Sequence, residues 1–364
     1  MLWNYGSGNL APAMFGEWNS LLKLTVIFVT LFWLQLRCGH LESAILRHLS
    51  QRRVSGIIII VADPKLIVVA GGEGFIGRHV RSALLAAGKD VISLDPRTAS
   101  PSLGDVSYEC DLTDAQGLQQ IFASVARPVS AIAHLASTLR TASVKDPKKA
   151  TEVNIVGTLN LLEAARTFRI ARVVFASSVS IYGSKGAQED VSENNLAAPE
   201  DMYGAAKKYI EVLGDAYSRN YRMQFVSLRI PIVVGSGPGT LTSAWRTELF
   251  NALAERSQRK ISVPFSQHET LSIVHVEDVA NAFSALLNAP TLTHCTYNAP
   301  CEIWRLADLK KEVESLNGHI QVSFGESTVS GFPRRLNCDR FKAEFGCAPN
   351  LSERLRHAAR GAGS

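Results

Sequence analysis

Leu66-Ile67-Val68-Val69-Ala70-Gly71-Gly72-Glu73-Gly74-Phe75-Ile76-Gly77-Arg78-His79 joins three different local structures in fourteen residues. Leu66 to Ala70 is apolar and rich in β-branched residues, the pattern of a buried strand. Gly71, Gly74 and Gly77 follow as G-x-x-G-x-x-G, and a helix runs from there to about Ala87. A strand, a glycine turn and a helix in that order form the context in which such a motif binds a dinucleotide. The first glycine allows the tight turn, the second lets backbone approach a pyrophosphate, and the third lets helix and strand pack closely. The helix start supplies N–H groups and partial positive charge for the phosphates. A ligand-free turn of the same shape is the competing reading. Glu73 is discordant, because a carboxylate beside a pyrophosphate is repelled at short range. It is expected to point to solvent.

Strands and helices alternate on either side of this stretch. Strands are expected at Asp90–Leu94, Val106–Cys110, Ser130–Leu135, Ala171–Ser177 and Phe225–Ile230. Helices are expected at Leu118–Val125, Glu152–Thr167 and Tyr203–Tyr217. That alternation predicts an α/β fold with a doubly wound parallel sheet. It divides the chain into a dinucleotide-binding domain at 65–235 and a smaller substrate-binding lobe at 236–364, with a segment near 271–287 returning to the sheet. Asp95 ends the second strand, 18 residues after Gly77. An acid there accepts hydrogen bonds from the adenosine ribose and repels a 2′-phosphate, which favours NAD over NADP. Arg97, two residues on, pulls the other way. Asp111 follows the third strand and is placed near the adenine, or else caps the next helix.

Tyr203-Gly204-Ala205-Ala206-Lys207 is Y-x-x-x-K, which on a helix puts phenol and ammonium on one face. Tyrosine has a pKa near 10 and is a poor base at neutral pH. A neighbouring Lys⁺ and a positive nicotinamide ring favour its phenolate. Lys207 can also hold the nicotinamide ribose. Upstream, Val173-Val174-Phe175-Ala176-Ser177-Ser178-Val179-Ser180-Ile181-Tyr182-Gly183 ends a strand in hydroxyls, and ligands of open α/β sheets sit at strand C-termini. Ser178 is the first choice to hold a substrate oxygen, and Ser180 the second.

Together these motifs resemble the extended short-chain dehydrogenase/reductase superfamily over roughly residues 65–360, in its NAD-dependent epimerase/dehydratase branch typified by UDP-glucose 4-epimerase. The glycine turn with Phe75 and Ile76 is similar to the family's G-G-x-G-F-I-G. Ala133-His134-Leu135-Ala136 resembles a fourth-strand motif lining the cofactor. The helix from Asn154 to Ala164 resembles the family's central helix, which implies that Asn154 supports the active site. The Ser177–Gly183 segment resembles S-S-x-x-x-Y-G, which implies a catalytic Ser178, and Tyr203 and Lys207 match the family's base and lysine. Leu228-Arg229-Ile230-Pro231 resembles the segment beside the nicotinamide, and Val274–Ala280 resembles H-V-x-D-V-A. The resemblance implies a catalytic set of Ser178, Tyr203 and Lys207. It implies a cofactor site of Gly71, Gly74, Phe75, Ile76, Gly77, Asp95, Asp111, Leu112, Leu135, Ala136, Asn154, Tyr203, Lys207 and Pro231. Two departures concern substrate. Ile232 and Leu271 stand where nucleotide-sugar epimerases usually place Asn and Arg against the diphosphate. Arg246 or Arg256 could substitute, and a smaller sugar or sugar acid fits as well as a nucleotide sugar.

The rest of the 364-residue chain sets bounds. It is 46% hydrophobic and 20% charged with net charge +5, ordinary for a globular enzyme. No Lys/Arg block of nucleic-acid type appears. The six cysteines have neither C-x-x-C nor metal-ligand spacing, so no metal site and no disulfide framework is expected. Leu21 to Leu36 is apolar but short of the ~20 residues of a membrane span, and it lacks signal-peptide flanks. An extension outside the fold, a membrane tether and a signal remain as readings of 1–64. The expectation is a cytoplasmic homodimeric enzyme acting on a small sugar-like molecule, or a membrane-tethered one. A non-catalytic dinucleotide-binding module is the alternative of a different class.

Overall fold

The computed structural model describes residues 65–97, 105–184, 190–238 and 244–361. The apolar run at 21–36 lies outside them. In chain order the strands are β1 Leu66–Ala70, β2 Asp90–Asp95, β3 Val106–Glu109, β4 Val129–His134, β5 Arg172–Ser178, β6 Gln224–Ile230, β7 Ile232–Val234, β8 Arg259–Phe265, β9 Thr270–His275, β10 Thr296–Asn298, β11 Glu302–Arg305 and β12 Ile320–Ser327. The helices are α1 Phe75–Ala86, α2 Ala115–Ser124, α3 Arg140–Lys145, α4 Pro147–Thr151, α5 Gly157–Thr167, α6 Met202–Asn220, α7 Trp245–Glu255, α8 Val276–Asn288, α9 Leu306–Leu316, α10 Asp339–Phe345 and α11 Leu351–Arg360. A single π turn, Glu152–Val156, leads into α5.

Seven strands pair in the order β10-β6-β5-β4-β1-β2-β3, every neighbour parallel. The expected doubly wound sheet is present. A parallel sheet needs helices on both faces, so its strands are apolar throughout rather than alternating. All five residues of β1 are buried, and burial of Leu66, Ile67, Val68 and Val69 contributes roughly 1.5–3 kcal/mol each. One face is covered by α1 and α8 through Val80, Leu84, Val279, Phe283 and Leu286. The other is covered by α2, α5 and α6 through Leu118, Phe122, Leu161, Leu162 and Ile210. Strand order reverses between β1 and β4, and the C-terminal ends of these two strands open onto the crevice where such sheets bind ligands.

The C-terminal region builds a three-stranded sheet, β11-β9-β7, and a pair, β12-β8. Their core includes Ile232, Trp245, Phe250, Ile261, Leu271, Leu309 and Leu355. The return to the main sheet near 271–287 takes a different form from the expected one. Thr270–His275 pairs with β7 and β11 instead, and only the following helix α8 packs on the seven-stranded sheet. The strand that joins that sheet is Thr296–Asn298, beside β6. An apolar run such as Leu271–Val274 marks a buried strand without naming its partner. Among the described residues, no helix is long and apolar enough to cross a membrane.

Candidate active site

Gly71 leaves β1 at φ 84°, a conformation that glycine adopts freely. Its N–H donates to the Leu94 carbonyl at 2.7 Å. A Cβ there would lie 2.5 Å from the Ala136 nitrogen, so the turn presses against the end of β4. Leu135 is fixed beside it, its N–H on the Ala70 carbonyl at 2.8 Å. A Cβ on Gly77 would lie 2.1 Å from the Gly71 oxygen, so only glycine lets α1 start this close to the strand. Gly74 is the N-cap of α1, no side chain caps the helix, and its first turn carries no acid. Phe75 and Ile76, in that turn, are part-buried. Uncapped N–H groups at a helix start are the donors a pyrophosphate takes, so the residues present fit a dinucleotide.

Glu73 does not point to solvent as expected. It is 3% exposed and ion-paired with Arg81, with the Nε of Arg78 at 3.5 Å. Arg81 is equally buried and donates to both Asp105 oxygens, at 2.6 and 2.7 Å, and to the Gly72 carbonyl at 3.2 Å. A carboxylate is tolerated inside only when paired, so pairing rather than exposure keeps this charge from opposing the phosphates. The backbone N–H of Glu73 donates to Asp95 Oδ2 at 3.0 Å. Arg97 clasps the same carboxylate, with its N–H at 3.1 Å, Nε at 2.9 Å and Nη2 at 3.2 Å. Asp111 is half exposed and accepts from Thr113 N–H and Oγ1 at 2.9 and 2.8 Å. It does not cap α2, since Asp114 does so by accepting the Gly117 N–H. Leu112 is buried, its carbonyl taken by Asn160 at 2.9 Å.

Strand β5 delivers Ser178 at its C-terminal end. Its Oγ lies 3.2 Å from both the N–H and the Oγ of Ser180, and it acts on the Tyr203 phenol, favouring the ionised form. Tyr203 stands in the first turn of α6, whose N-cap Asp201 accepts the Gly204 N–H at 2.7 Å. A Cβ on Gly204 would come 2.5 Å from the Ser180 carbonyl, and that closeness brings phenol to serine. One turn on, the Nζ of Lys207 donates to the Ala176 carbonyl at 2.8 Å and lies 5.4 Å from the Tyr203 ring centroid. Burial pushes the phenol up to about 12, with the Ser178 hydrogen bond and the Arg246 charge pulling it down and Asp201 pushing it further up. Burial also draws Lys207 down to about 7. His134 is held neutral by burial and then by the Lys207 charge, its pKa about 3.

Asn154 lies on the π turn, a feature frequent at functional sites. Its Oδ1 accepts the Thr138 N–H at 2.7 Å and the Ser137 hydroxyl at 3.2 Å, and its Nδ2 donates to the Thr138 carbonyl at 3.0 Å. Its amide is spent on clasping the loop beyond Leu135 and Ala136. Pro231 is buried between β6 and β7.

The sequence reading missed the group that holds the helix carrying Tyr203 and Lys207. Glu211 is two turns beyond Tyr203 and 3% exposed. It accepts Arg229 Nε at 2.9 Å and Nη2 at 2.8 Å, and the Ser177 hydroxyl at 2.7 Å. Arg229 also donates to the Tyr182 hydroxyl at 2.7 Å, which in turn donates to Asn298 at 2.8 Å. The network ties α6 to β5, β6 and β10. Burial opposes ionisation of Glu211, but the hydrogen bonds and charge of Arg229 outweigh it and hold the carboxyl below its usual range. The available signal was an acid on the apolar face of α6 and an arginine inside an apolar strand.

The family model described as "NAD dependent epimerase/dehydratase family" matches residues 67–299. UDP-glucose 4-epimerase of Lacticaseibacillus casei is 34% identical over 177 residues, 47% of this chain and 53% of that one. The chain thus aligns to about half the length of that relative. D-erythronate dehydrogenase of Haemophilus influenzae is 26% identical over 291 residues, 74% of this chain and 91% of the other. Among solved structures, the NAD complex of UDP-glucose 4-epimerase from Thermus thermophilus has a TM-score of 0.68 at 28% identity, covering 82% of this chain and 99% of that one.

Proposed function

The chain belongs to the NAD dependent epimerase/dehydratase family, and on that premise we propose that it is an NAD-dependent oxidoreductase acting on a hydroxyl of a sugar, nucleotide sugar or sugar acid. The observation that carries the proposal is the meeting of Ser178, Tyr203 and Lys207, at the same edge of the sheet as the uncapped start of α1. NAD, when bound, supplies the hydride acceptor. Tyr203 takes the proton of the substrate hydroxyl, and Ser178 steadies that oxygen. When protonated, Lys207 favours the phenolate by its charge. Gly71, Gly74, Phe75, Ile76 and Gly77 present the phosphate-binding backbone. Leu135, Ala136, Leu112 and Pro231 line the dinucleotide, Asp111 stands near its adenine, and Asn154 positions the loop over it. If the carbonyl product is retained and reduced on its other face, the result is epimerisation, and if it leaves, dehydrogenation. The test is nicotinamide absorbance while nucleotide sugars, free sugars and sugar acids are offered in turn. Reduction of NAD, or epimer formation without net reduction, is expected. NAD binding with neither change across the panel would return the protein to the class of binding modules. The dehydrogenase reading gains support from the Haemophilus relative, which is named for a sugar acid.

We assign NAD rather than NADP to Asp95, whose buried carboxylate repels a 2′-phosphate and keeps Arg97 occupied. Asp95→Ser should free Arg97 and raise the NADP-to-NAD ratio of kcat/KM at least ~10-fold, in line with the worth of one charged hydrogen bond. A wild-type preference for NADP contradicts the assignment. A homodimer is also proposed. Val156, at the start of α5, Leu159 on α5, and Tyr209 and Val212 on α6 are exposed apolar side chains on helices that pack together. Light scattering should give a dimer, and Leu159→Glu with Val212→Glu a monomer. A monomeric wild type at micromolar concentration rules it out.

A further inference from the structure

Resting on the oxidoreductase reading, we propose that Arg246 binds the carboxylate of the substrate, which makes that substrate a small hydroxy acid or sugar acid rather than a nucleotide sugar. Arg246 lies in the first turn of α7, in the smaller lobe. Its Nε is buried with no hydrogen-bond partner. Among the described residues no carboxylate pairs with it, whereas the buried Arg81 and Arg229 are each matched by an acid. The Trp245 ring lies 5.8 Å from its guanidinium carbon, and its charge acts on the Tyr203 phenol. A buried guanidinium N–H without a partner is costly, and an anionic ligand removes that cost.

The two positions that would otherwise contact a diphosphate are closed to it. Ile232 and Leu271 are 4% and 0% exposed and belong to the core of the lobe. Arg256, the other candidate, sits at the opposite end of α7, where its Nη2 donates to the Arg360 carbonyl at 3.0 Å. That leaves a planar guanidinium, suited to bidentate carboxylate binding, whose charge reaches the group that takes a hydroxyl proton. A molecule that satisfies both carries a carboxylate and a hydroxyl a few bonds apart.

The experiment is calorimetric binding of short aldonates, their primary amides and UDP-glucose to the NAD-loaded Tyr203→Phe variant, which binds without turning over. The same titration on wild-type protein with NADH covers the case in which the variant is poorly folded. Aldonate should bind about tenfold to a hundredfold tighter than its amide. Arg246→Gln should erase that preference while leaving NAD affinity unchanged, and Arg246→Lys should keep part of it. Equal binding of acid and amide overturns the proposal. So does UDP-glucose binding tighter than every aldonate, the absence of aldonate binding, a preference that survives Arg246→Gln, or an equal loss of NAD affinity. The oxidoreductase reading fails by a different result, undiminished turnover in Tyr203→Phe, so the two ideas fall separately.

Discussion

Tyr203→Phe lowers turnover by at least ~10²-fold, the usual worth of a general base, while dinucleotide binding stays within a few-fold of wild type. Only one oxygen is removed. The ring still packs beside Lys207, whose Nζ lies 5.4 Å from the ring centroid, and the glycine turn is untouched. In the free protein both members of the pair are biased toward their neutral forms, the phenol at about 12 and the lysine at about 7, each chiefly by burial. Burial penalises whichever form is charged, so a positive nicotinamide ring beside the phenol offsets the penalty and draws its proton off. Oxidation needs the phenolate, so kcat/KM in that direction should rise with pH as the base form accumulates. The apparent pKa belongs to the Tyr203–Lys207 pair and not to either residue alone. Stopped-flow and steady-state rates of the variant, with NAD titrated by fluorescence, check the first claim. Turnover within about threefold of wild type would remove Tyr203 from the mechanism.

Glu211→Leu costs about 3–5 kcal/mol of stability, since it leaves the Arg229 guanidinium buried without its counter-charge. Glu211→Leu combined with Arg229→Leu costs less than the single change, because no charge is then stranded. The single variant also loosens the hold of β5 and β6 on α6, so its remaining activity should fall more than that of the double variant per unit of unfolding free energy. The pH dependence has a definite sign. The folded-state carboxyl is depressed, so its contribution is complete above the ordinary glutamate value near 4.3 and is lost as pH falls through the lower folded-state value. Urea midpoints at constant m-value measure all three proteins. A single variant no less stable than the double one would show that the pair does not hold the helix.

Much of this architecture is legible from local pattern. Leu66–Ala70 and Phe225–Ile230 read as buried strands because both faces of a parallel sheet are covered. The glycine spacing at 71, 74 and 77 locates the crevice because each glycine answers a separate steric demand. Y-x-x-x-K read with the serines at 177–180 places Tyr203 and Ser178 in one site, and Ser178 acts on the Tyr203 phenol. Pairing at long range is not legible in this way. Nothing near Glu73 announces that Arg81, itself held by Asp105, will pair with it, since a buried charge is read only with its partner in view. Likewise Glu211 and Arg229 sit 18 residues apart in the chain, and neither looks exceptional alone. Strand partners in the lobe are equally hidden: Leu271 and Ile273 fit any buried edge, and only the three-dimensional arrangement puts them beside β7 and β11.

The position of a bound dinucleotide is the most direct test of this mechanism, and a crystal structure of the protein soaked or grown with NAD measures it. It should place the pyrophosphate on the backbone N–H groups between Gly71 and Gly77, the adenosine ribose on Asp95, and the nicotinamide ring against Tyr203 and Lys207. A dinucleotide bound elsewhere, or one whose nicotinamide lies out of reach of the Tyr203 hydroxyl, would contradict it.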